Sequence, residues 1–209
     1  VDPDVEWEAL RSASMHLGKS GRRKAERGLQ KVLATKLASS QLFPTQHPEM
    51  RIRQKIGRWR LNRWVPEAHA AGRIFRNLQR LPKLVPPNVI AACWGTVWNC
   101  WCTGRRFQRS LSEGAVCRFG CSVTAHDSIE HYVHCEVLRR VVSERFYRSV
   151  NLQLPTFLLC DRCSDDDLAF VALLVFGTYR AHNQYRAQDV VADAERAMDC
   201  IVFFMRQAA

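Results

Sequence analysis

The sequence predicts an all-helical protein, and three observations support this fold class. Apolar residues recur at the spacing of one helix face in several long segments. Residues that favour helix starts, among them Pro66, Pro87 and Ser164, stand where such segments begin. No alternation of Val, Ile and Thr is long enough to indicate a strand. We therefore expect helices connected by loops, and no sheet.

The apolar pattern and the residues that interrupt it divide the chain into seven predicted helices. In chain order they span residues 20–37, 49–63, 66–81, 87–109, 131–149, 165–186 and 187–206. Trp94, Trp98 and Trp101 fall at helical spacing in the fourth helix. We expect these three side chains to pack inward.

The last two predicted helices are rich in apolar residues and follow each other closely, which predicts a buried antiparallel hairpin. Ser164 and the acids Asp165, Asp166 and Asp167 precede this hairpin. A serine cap followed by carboxylates suits a helix start, because negative charge stabilises the positive end of the helix dipole. We interpret the acidic run as a helix cap and not as a catalytic cluster.

Four residues near the middle of the chain have the spacing of a small zinc site. They are Cys117, Cys121, His131 and Cys135. Gly120 allows the backbone to turn between the first two cysteines. The other two ligands stand at i and i+4 on one predicted helical turn, which Asp127 and Ser128 are placed to cap. Three Cys and one His form a common tetrahedral ligand set for Zn²⁺, so we predict a zinc knuckle here.

His126 and His134 are alternative ligands, because both lie close to the predicted site. His134 directly precedes Cys135, and neighbouring helical residues point about 100° apart, which makes this pair awkward for one ion. We therefore favour His131, with His134 left open. Four protein ligands leave no position for water, so we expect a site that stabilises the fold and not a hydrolytic one.

The 209-residue chain divides into four predicted segments. Residues 1–49 form a basic N-terminal segment, 50–112 an Arg- and Trp-rich helical linker, 113–140 the zinc knuckle and 141–209 the C-terminal helical hairpin. Nine cysteines at irregular spacings do not indicate a secreted disulfide framework, so we expect a reducing compartment. No apolar run approaches the roughly 20 residues of a membrane span, so we expect no membrane partner. The chain begins with Val1, and we expect it to be part of a longer protein.

Positive charge is concentrated in one part of the chain. Residues 11–110 carry 21 Lys and Arg against three Glu, a net charge of +18 within a total of +11. Residues 1–10 carry four acids and no base, and residues 111–209 carry 10 bases and 13 acids. Ordinary surfaces mix both signs, so this excess favours a polyanionic partner. We predict RNA or DNA, with an acidic protein as the alternative.

The basic residues form clusters with aromatic residues among them, a combination that suits phosphates and stackable bases. The candidate nucleic-acid-binding residues are Arg22, Arg23, Lys24, Arg51, Arg53, Lys55, Arg58, Arg60, Arg63, Arg105 and Arg106. Contacts to phosphates give affinity that falls with salt and little sequence preference.

The part of the chain around the predicted zinc site resembles a region of a known protein family. The resemblance depends on Cys117, Cys121 and the run DSIEHYVHC at 127–135, which follow predicted helices that contain Trp and Arg. The region in that family is the zinc-binding region that follows the polymerase domain of non-LTR retrotransposon reverse transcriptases. The resemblance covers roughly residues 50–140 and implies a nucleic-acid-binding zinc module with a nuclear location. It also implies that Arg-rich helices grip the RNA or DNA backbone.

Catalysis by this chain alone is not expected. The sequence has no aromatic-x-Asp-Asp turn of a polymerase palm, no Ser/His/Asp constellation, no P-loop and no dinucleotide fingerprint. The endonuclease of some members of the family needs an acidic and lysine motif, and residues 136–209 contain no Lys. The alternative to a binding module is a domesticated structural subunit of a larger RNA-protein assembly, with other protein subunits as partners.

Overall fold

The computed structural model describes residues 48–61, 66–107 and 115–209. In this part of the chain eight α-helices follow one another, and the only β pairing is an isolated bridge between Val116 and His126. The helices are α1 Pro48–Ile56, α2 Glu67–Arg80, α3 Pro87–Val97, α4 Ile129–Tyr132, α5 Glu136–Arg140, α6 Leu154–Phe157, α7 Asp165–Ala187 and α8 Ala194–Ala208. The predicted all-helical fold class is confirmed. The predicted helix 20–37 lies outside the described residues.

One compact unit spans His47–Ala209, and its single hydrophobic core includes residues from Ile52 to Ala208. The other unit, Val1–Gln46, lies outside the described residues. Side chains of the predicted segments 50–112, 113–140 and 141–209 all enter the same core. The described parts of these three segments therefore fold together rather than as separate domains.

Helices α1 and α2 form the first packed pair, with Ile52, Ile56 and Ile74 fully buried. α2 begins after Pro66 and agrees with the predicted helix 66–81. α1 is shorter than the predicted helix 49–63, because the chain tightens into a 3-10 turn at Gly57–Trp59 and Arg60 then adopts a left-handed conformation with φ 49°. A left-handed residue cannot continue an α-helix.

Helix α3 starts at Pro87 as predicted but ends at Val97, so the predicted extension to residue 109 is wrong. Asn99 adopts a left-handed conformation with φ 54°, and the Cys100 amide donates to the Gly95 carbonyl at 2.7 Å. This six-to-one hydrogen bond is a Schellman ending, which satisfies a carbonyl of the last turn and stops the helix.

Trp101 consequently enters the core from the loop after α3 and not from a longer helix. Its side chain is fully buried, and its indole Nε1–H donates to Thr96 Oγ1 at 2.9 Å. Trp94 and Trp98 are half-buried and pack edge to face against each other, with ring centroids 4.9 Å apart. The prediction of inward packing therefore holds fully for Trp101 and in part for the other two.

The predicted C-terminal hairpin is confirmed, because α7 and α8 pack along each other in opposite directions. Gly177 in the middle of α7 lies against Met205 near the end of α8, and the Tyr185 hydroxyl donates to the Arg196 carbonyl near its start. α8 begins at residue 194 instead of the predicted 187, because Asp189 is left-handed with φ 51° and Asp193 caps the helix. A six-residue connection therefore separates the two helices.

The predicted helix 131–149 is divided into three pieces. α4 ends at Tyr132, Cys135 adopts an extended conformation with ψ 126°, and α5 starts at Glu136. The Val141–Arg145 segment continues α5 as a π-helical turn. Extended backbone at Cys135 breaks the i to i+4 hydrogen bonds that a continuous helix requires.

Within the described residues, no helix combines the length and apolar composition that crossing a bilayer needs.

Candidate metal centre

Cys117, Cys121, His131 and Cys135 come together in one cluster. Their ligand atoms all lie within 4.8 Å of one another, which is close enough for one metal ion to bind all four. Cys117 Sγ lies 4.0 Å from Cys135 Sγ, and Cys121 Sγ lies 3.1 Å from His131 Nε2. The predicted ligand set is therefore brought together by the fold.

The first two ligands lie on a loop that closes on itself. The Cys117 amide donates to the Ala125 carbonyl at 2.7 Å, and the Asp127 amide donates to the Ala115 carbonyl at 2.9 Å. Gly120 lies at the turn between the two cysteines, where a turn was predicted, and has φ 66°. A Cβ at this position would also overlap the Ala192 carbonyl oxygen in the α7–α8 connection. Glycine is therefore needed here for both its conformation and its size.

The other two ligands flank a break between short helices. Ser128 is the N-cap of α4, and its Oγ accepts a hydrogen bond from the His131 amide at 3.0 Å. Cys135 is the N-cap residue of α5. The i, i+4 pair was predicted on one helical turn, and the extended Cys135 corrects this prediction while still placing its Sγ beside Cys117.

The choice between the histidines follows from position. His131 is half-buried in the cluster, whereas His126 and His134 are exposed and lie outside it. His134 is the residue after the end of the α4 cap, where its side chain faces solvent. The structure therefore selects His131.

The three thiols titrate differently in this geometry. The hydrogen bond to Cys135, with burial in addition, raises the pKa of Cys117 well above its ordinary value. The same hydrogen bond lowers the pKa of Cys135 to about 4, while burial raises the pKa of Cys121 to about 11. A divalent cation would favour three thiolates, because its charge replaces the protons.

A buried polar network lies behind the cluster, and it was not predicted from the sequence. Asp127 accepts hydrogen bonds from the Gly104 amide at 2.7 Å and from the Tyr132 hydroxyl at 2.6 Å, and His182 Nε2 lies 3.1 Å from its Oδ1. Burial alone would raise the pKa of Asp127, but the hydrogen bonds and the charge of His182 hold the pKa below its ordinary value. The predicted capping role of Asp127 is thus taken by Ser128 alone.

Trp101 and Tyr132 build the apolar walls of this network. The Trp101 ring lies 5.6 Å from the His182 ring and 5.7 Å from the Tyr132 ring, measured between centroids. All three side chains are fully buried. The sequence marks only one member of the network, because His182 is a polar residue on the buried face of a largely apolar helix, and no neighbouring residue identifies Asp127 as its partner.

The structure describes the side chains of six of the eleven predicted nucleic-acid-binding residues. Arg51, Arg53, Arg60, Arg105 and Arg106 are exposed, and Lys55 is half-buried. Of Arg58, only the backbone in the 3-10 turn is described. Arg22, Arg23, Lys24 and Arg63 lie outside the described residues. Arg105 pairs with Glu130 at 3.0 Å, which places one base of the predicted set beside the ligand helix.

Several arginines of the C-terminal half pair with acids. Arg140 and Arg145 contact Glu195 at 2.6 and 3.1 Å, and Arg148 contacts Asp166 at 2.6 Å. Ser164 Oγ accepts from the Asp167 amide at 3.1 Å, so Ser164 caps α7 and the three acids stand in its first turn, as predicted. These acids serve the helix start and its ion pairs.

The remaining cysteine pairs do not add a second metal cluster in the described part of the chain. Cys160 is buried, and its thiol donates to the Ala70 carbonyl at 3.9 Å, while Cys163 is half-buried. Cys100 is exposed at the end of α3.

Comparison with known proteins gives no match. No family model matches the chain, and neither a curated protein nor a solved structure matches it.

Proposed function

We propose that this chain is a nucleic-acid-binding module whose fold is held together by zinc. The observation that carries the proposal is a four-ligand cluster joined directly to a strongly basic region. The chain resembles the region after the polymerase domain of non-LTR retrotransposon reverse transcriptases, and this resemblance supports a nuclear location and a role on RNA or DNA. On this proposal the module itself is not catalytic.

Zinc is the metal that the donor set suits best. Three sulfurs and one imidazole nitrogen are soft ligands that favour zinc over calcium or magnesium, which prefer oxygen. Zinc–sulfur bonds of about 2.3 Å in a tetrahedron place two sulfurs about 3.8 Å apart. The Cys117–Cys135 separation of 4.0 Å agrees with this spacing.

A structural role for the metal follows from the closed ligand set. All four positions of a tetrahedron would be filled by protein, so no position remains for a reactive water. The ligands come from the 117–121 loop and from both sides of the α4–α5 break. One ion would therefore fix a segment whose short helices have few hydrogen bonds of their own.

The basic region supplies the proposed contact to nucleic acid. Residues 48–107 carry 12 Lys and Arg and only two Glu. Arg80 and Arg105 find acidic partners in the C-terminal half, at Asp165 and Glu130. Two such pairs leave a large positive excess on this region, with Arg51, Arg53 and Arg60 exposed. A polyanion is the partner that this excess favours.

The test has two stages, both on the full chain. Elemental analysis of purified protein is expected to give one zinc per chain. Fluorescence anisotropy with a labelled 20-nucleotide single-stranded RNA is then measured between 50 and 300 mM salt. We expect affinity to fall linearly on a double logarithmic plot, because each neutralised phosphate releases counterions.

A matched pair of double variants separates the basic region from total charge. Arg51→Gln with Arg53→Gln removes two exposed charges from α1, and Arg162→Gln with Arg206→Gln removes two exposed charges from the C-terminal half. The first variant is expected to weaken binding and to reduce the salt slope by about 1.4, and the second to change neither. Equal effects of the two variants, or no RNA binding by the wild type, would overturn the proposal. Release of the RNA only under conditions that unfold the chain would favour the permanent subunit of an RNA-protein assembly.

A further inference from the structure

A polar cavity of about 280 Å³ lies next to the metal centre. Its walls include Gly104, Phe107, Arg118, Asp127, Arg186 and Asp189. Arg118 directly follows the ligand Cys117, and Asp127 belongs to the buried network. The cavity therefore opens beside the elements that the metal fixes.

Arg118 is the unusual residue of this cavity. Its side chain is only 9% exposed, yet its Nε has no hydrogen-bond partner among the described residues. Its Nη1 lies 3.3 Å from Asp189 Oδ1, and its backbone carbonyl accepts from the Ala192 amide at 2.9 Å. A buried guanidinium with incomplete hydrogen bonding is costly, and the planar fork of a guanidinium matches an anion that has several acceptor oxygens.

Asp189 is a weak competitor for that guanidinium. Its side chain is 88% exposed, and the ion pair with Arg118 is long at 3.3 Å. An exposed carboxylate in such a pair gives little stability, so a ligand oxygen replaces it at low cost. Asp127 competes less still, because its two oxygens already accept hydrogen bonds from Gly104, Tyr132 and His182. Arg118 and the exposed Arg186 are left as the cationic groups of the cavity.

Phe107 adds an apolar face at the same place. Phe107 is 55% exposed and lines the cavity, so its ring is accessible to a ligand. Arg105 and Arg106 precede it and are also exposed. An exposed ring beside guanidinium groups is the arrangement on which an unpaired base stacks while its phosphate is bound.

We propose that this cavity binds one nucleotide of a single-stranded nucleic acid, with its phosphate on Arg118 and Arg186 and its base on Phe107. Asp189 leaves the Arg118 guanidinium when the phosphate enters. This inference rests on the proposed function and deepens it, because it locates one contact point and predicts a preference for unpaired strands.

The test uses the zinc-loaded full chain and a fluorescent 12-nucleotide oligouridine, with anisotropy measured at several salt concentrations. Arg186→Gln is expected to weaken binding and to reduce the salt slope by about 0.7, as for one lost phosphate contact on a single strand. Asp189→Asn is expected to strengthen binding severalfold, since it removes the competing carboxylate. Arg206→Gln is the matched control, because Arg206 is also an exposed arginine in the last turn of a helix.

Phe107→Ala tests the stacking contact separately. We expect at least about fivefold weaker binding of the single strand with an unchanged salt slope, because stacking involves no counterion release. A blunt duplex of the same length is expected to bind the variant as it binds the wild type. Phe203→Ala is the control, since Phe203 is exposed to a similar extent, 59%, on α8. Zinc content and helical circular dichroism of each variant verify that the fold is intact.

The outcomes separate this inference from the proposed function. The cavity assignment is overturned if Arg186→Gln and Phe107→Ala behave as their controls and Asp189→Asn has no effect, while the Arg51 and Arg53 variant still weakens binding. No binding of oligouridine or duplex by the wild type overturns both proposals together. Opposite effects of Arg186→Gln and Asp189→Asn, with a loss specific to single strands in Phe107→Ala, support the assignment.

Discussion

Asp127 and His182 lie 3.1 Å apart across 55 residues of sequence, and both side chains are almost completely buried. Asp127 follows the cysteine loop of the metal centre, whereas His182 belongs to the long helix α7. The contact therefore connects the candidate metal centre to the main core. Because buried polar groups join the metal centre to the core, we expect a substitution in one of them to alter the stability of the other.

The first prediction concerns this connection. Asp127→Asn keeps the size of the side chain but removes the charge and part of the hydrogen bonding to Gly104, Tyr132 and His182. We expect the free energy of unfolding to fall by about 2 kcal/mol or more, because buried partners lose their hydrogen bonds. Urea denaturation measures this. Asp199→Asn is the control: its exposed ion pair with Arg145 is worth less than about 1 kcal/mol. Similar losses in both variants would contradict the connection.

The second prediction concerns acid. Asp127 has a lowered pKa, so its stabilising effect is complete above the ordinary Asp pKa of about 3.9 and is lost only as the pH falls through the lower value. Between pH 7 and pH 5 its charge is therefore constant. A metal held by three Cys and one His does compete with protons in this range.

We accordingly expect acid unfolding to coincide with release of zinc, before Asp127 is protonated. A colorimetric zinc indicator and circular dichroism, recorded on the same samples from pH 7 to pH 4, measure the two transitions. Asp127→Asn, although less stable, is expected to lose its zinc with the same steep, multi-proton pH dependence. Unfolding at a pH where zinc is still bound would show that the metal is not the acid-sensitive element.

The third prediction distinguishes the histidines. His131→Ala removes a ligand of the cluster and is expected to lower zinc content to near zero, with loss of helical signal. His134→Ala and His126→Ala change exposed side chains outside the cluster and are expected to retain one zinc per chain. Elemental analysis of the three variants decides between them. Retention of zinc by His131→Ala together with its loss in His134→Ala would reverse the ligand assignment.

The fold class and the ligand set were predictable from the sequence, because both depend on local patterns. Apolar spacing and the Ser164 cap predicted α7 closely, and the spacing of cysteines and histidines selected the cluster. Helix ends were predicted less well. α3 ends where Asn99 adopts a left-handed conformation. Asn tolerates this conformation, but the spacing of apolar residues does not indicate where it occurs.

The buried network and the cavity were not predictable, because their residues are far apart in sequence. Asp127 and His182 meet only after the loop and α7 have packed, and Arg118 and Asp189 meet for the same reason. Asp127 was predicted to be a helix cap, because capping is the role that its sequence neighbours indicate. Nucleic-acid binding, by contrast, stays a prediction from charge and resemblance.

The fourth prediction tests how tightly the cysteine loop packs against the rest of the unit. Gly120→Ala places a Cβ against the Ala192 carbonyl at φ 66°, and we expect a loss of more than about 2 kcal/mol together with weaker zinc binding. Gly95→Ala is the control: its Cβ would meet only Cys100 Cβ at 3.8 Å within α3, so we expect a gain of about 0.5–1 kcal/mol. Urea unfolding and competition with a zinc chelator measure both effects. Equal stability of the two variants would mean that the loop does not need the glycine conformation to bind its metal.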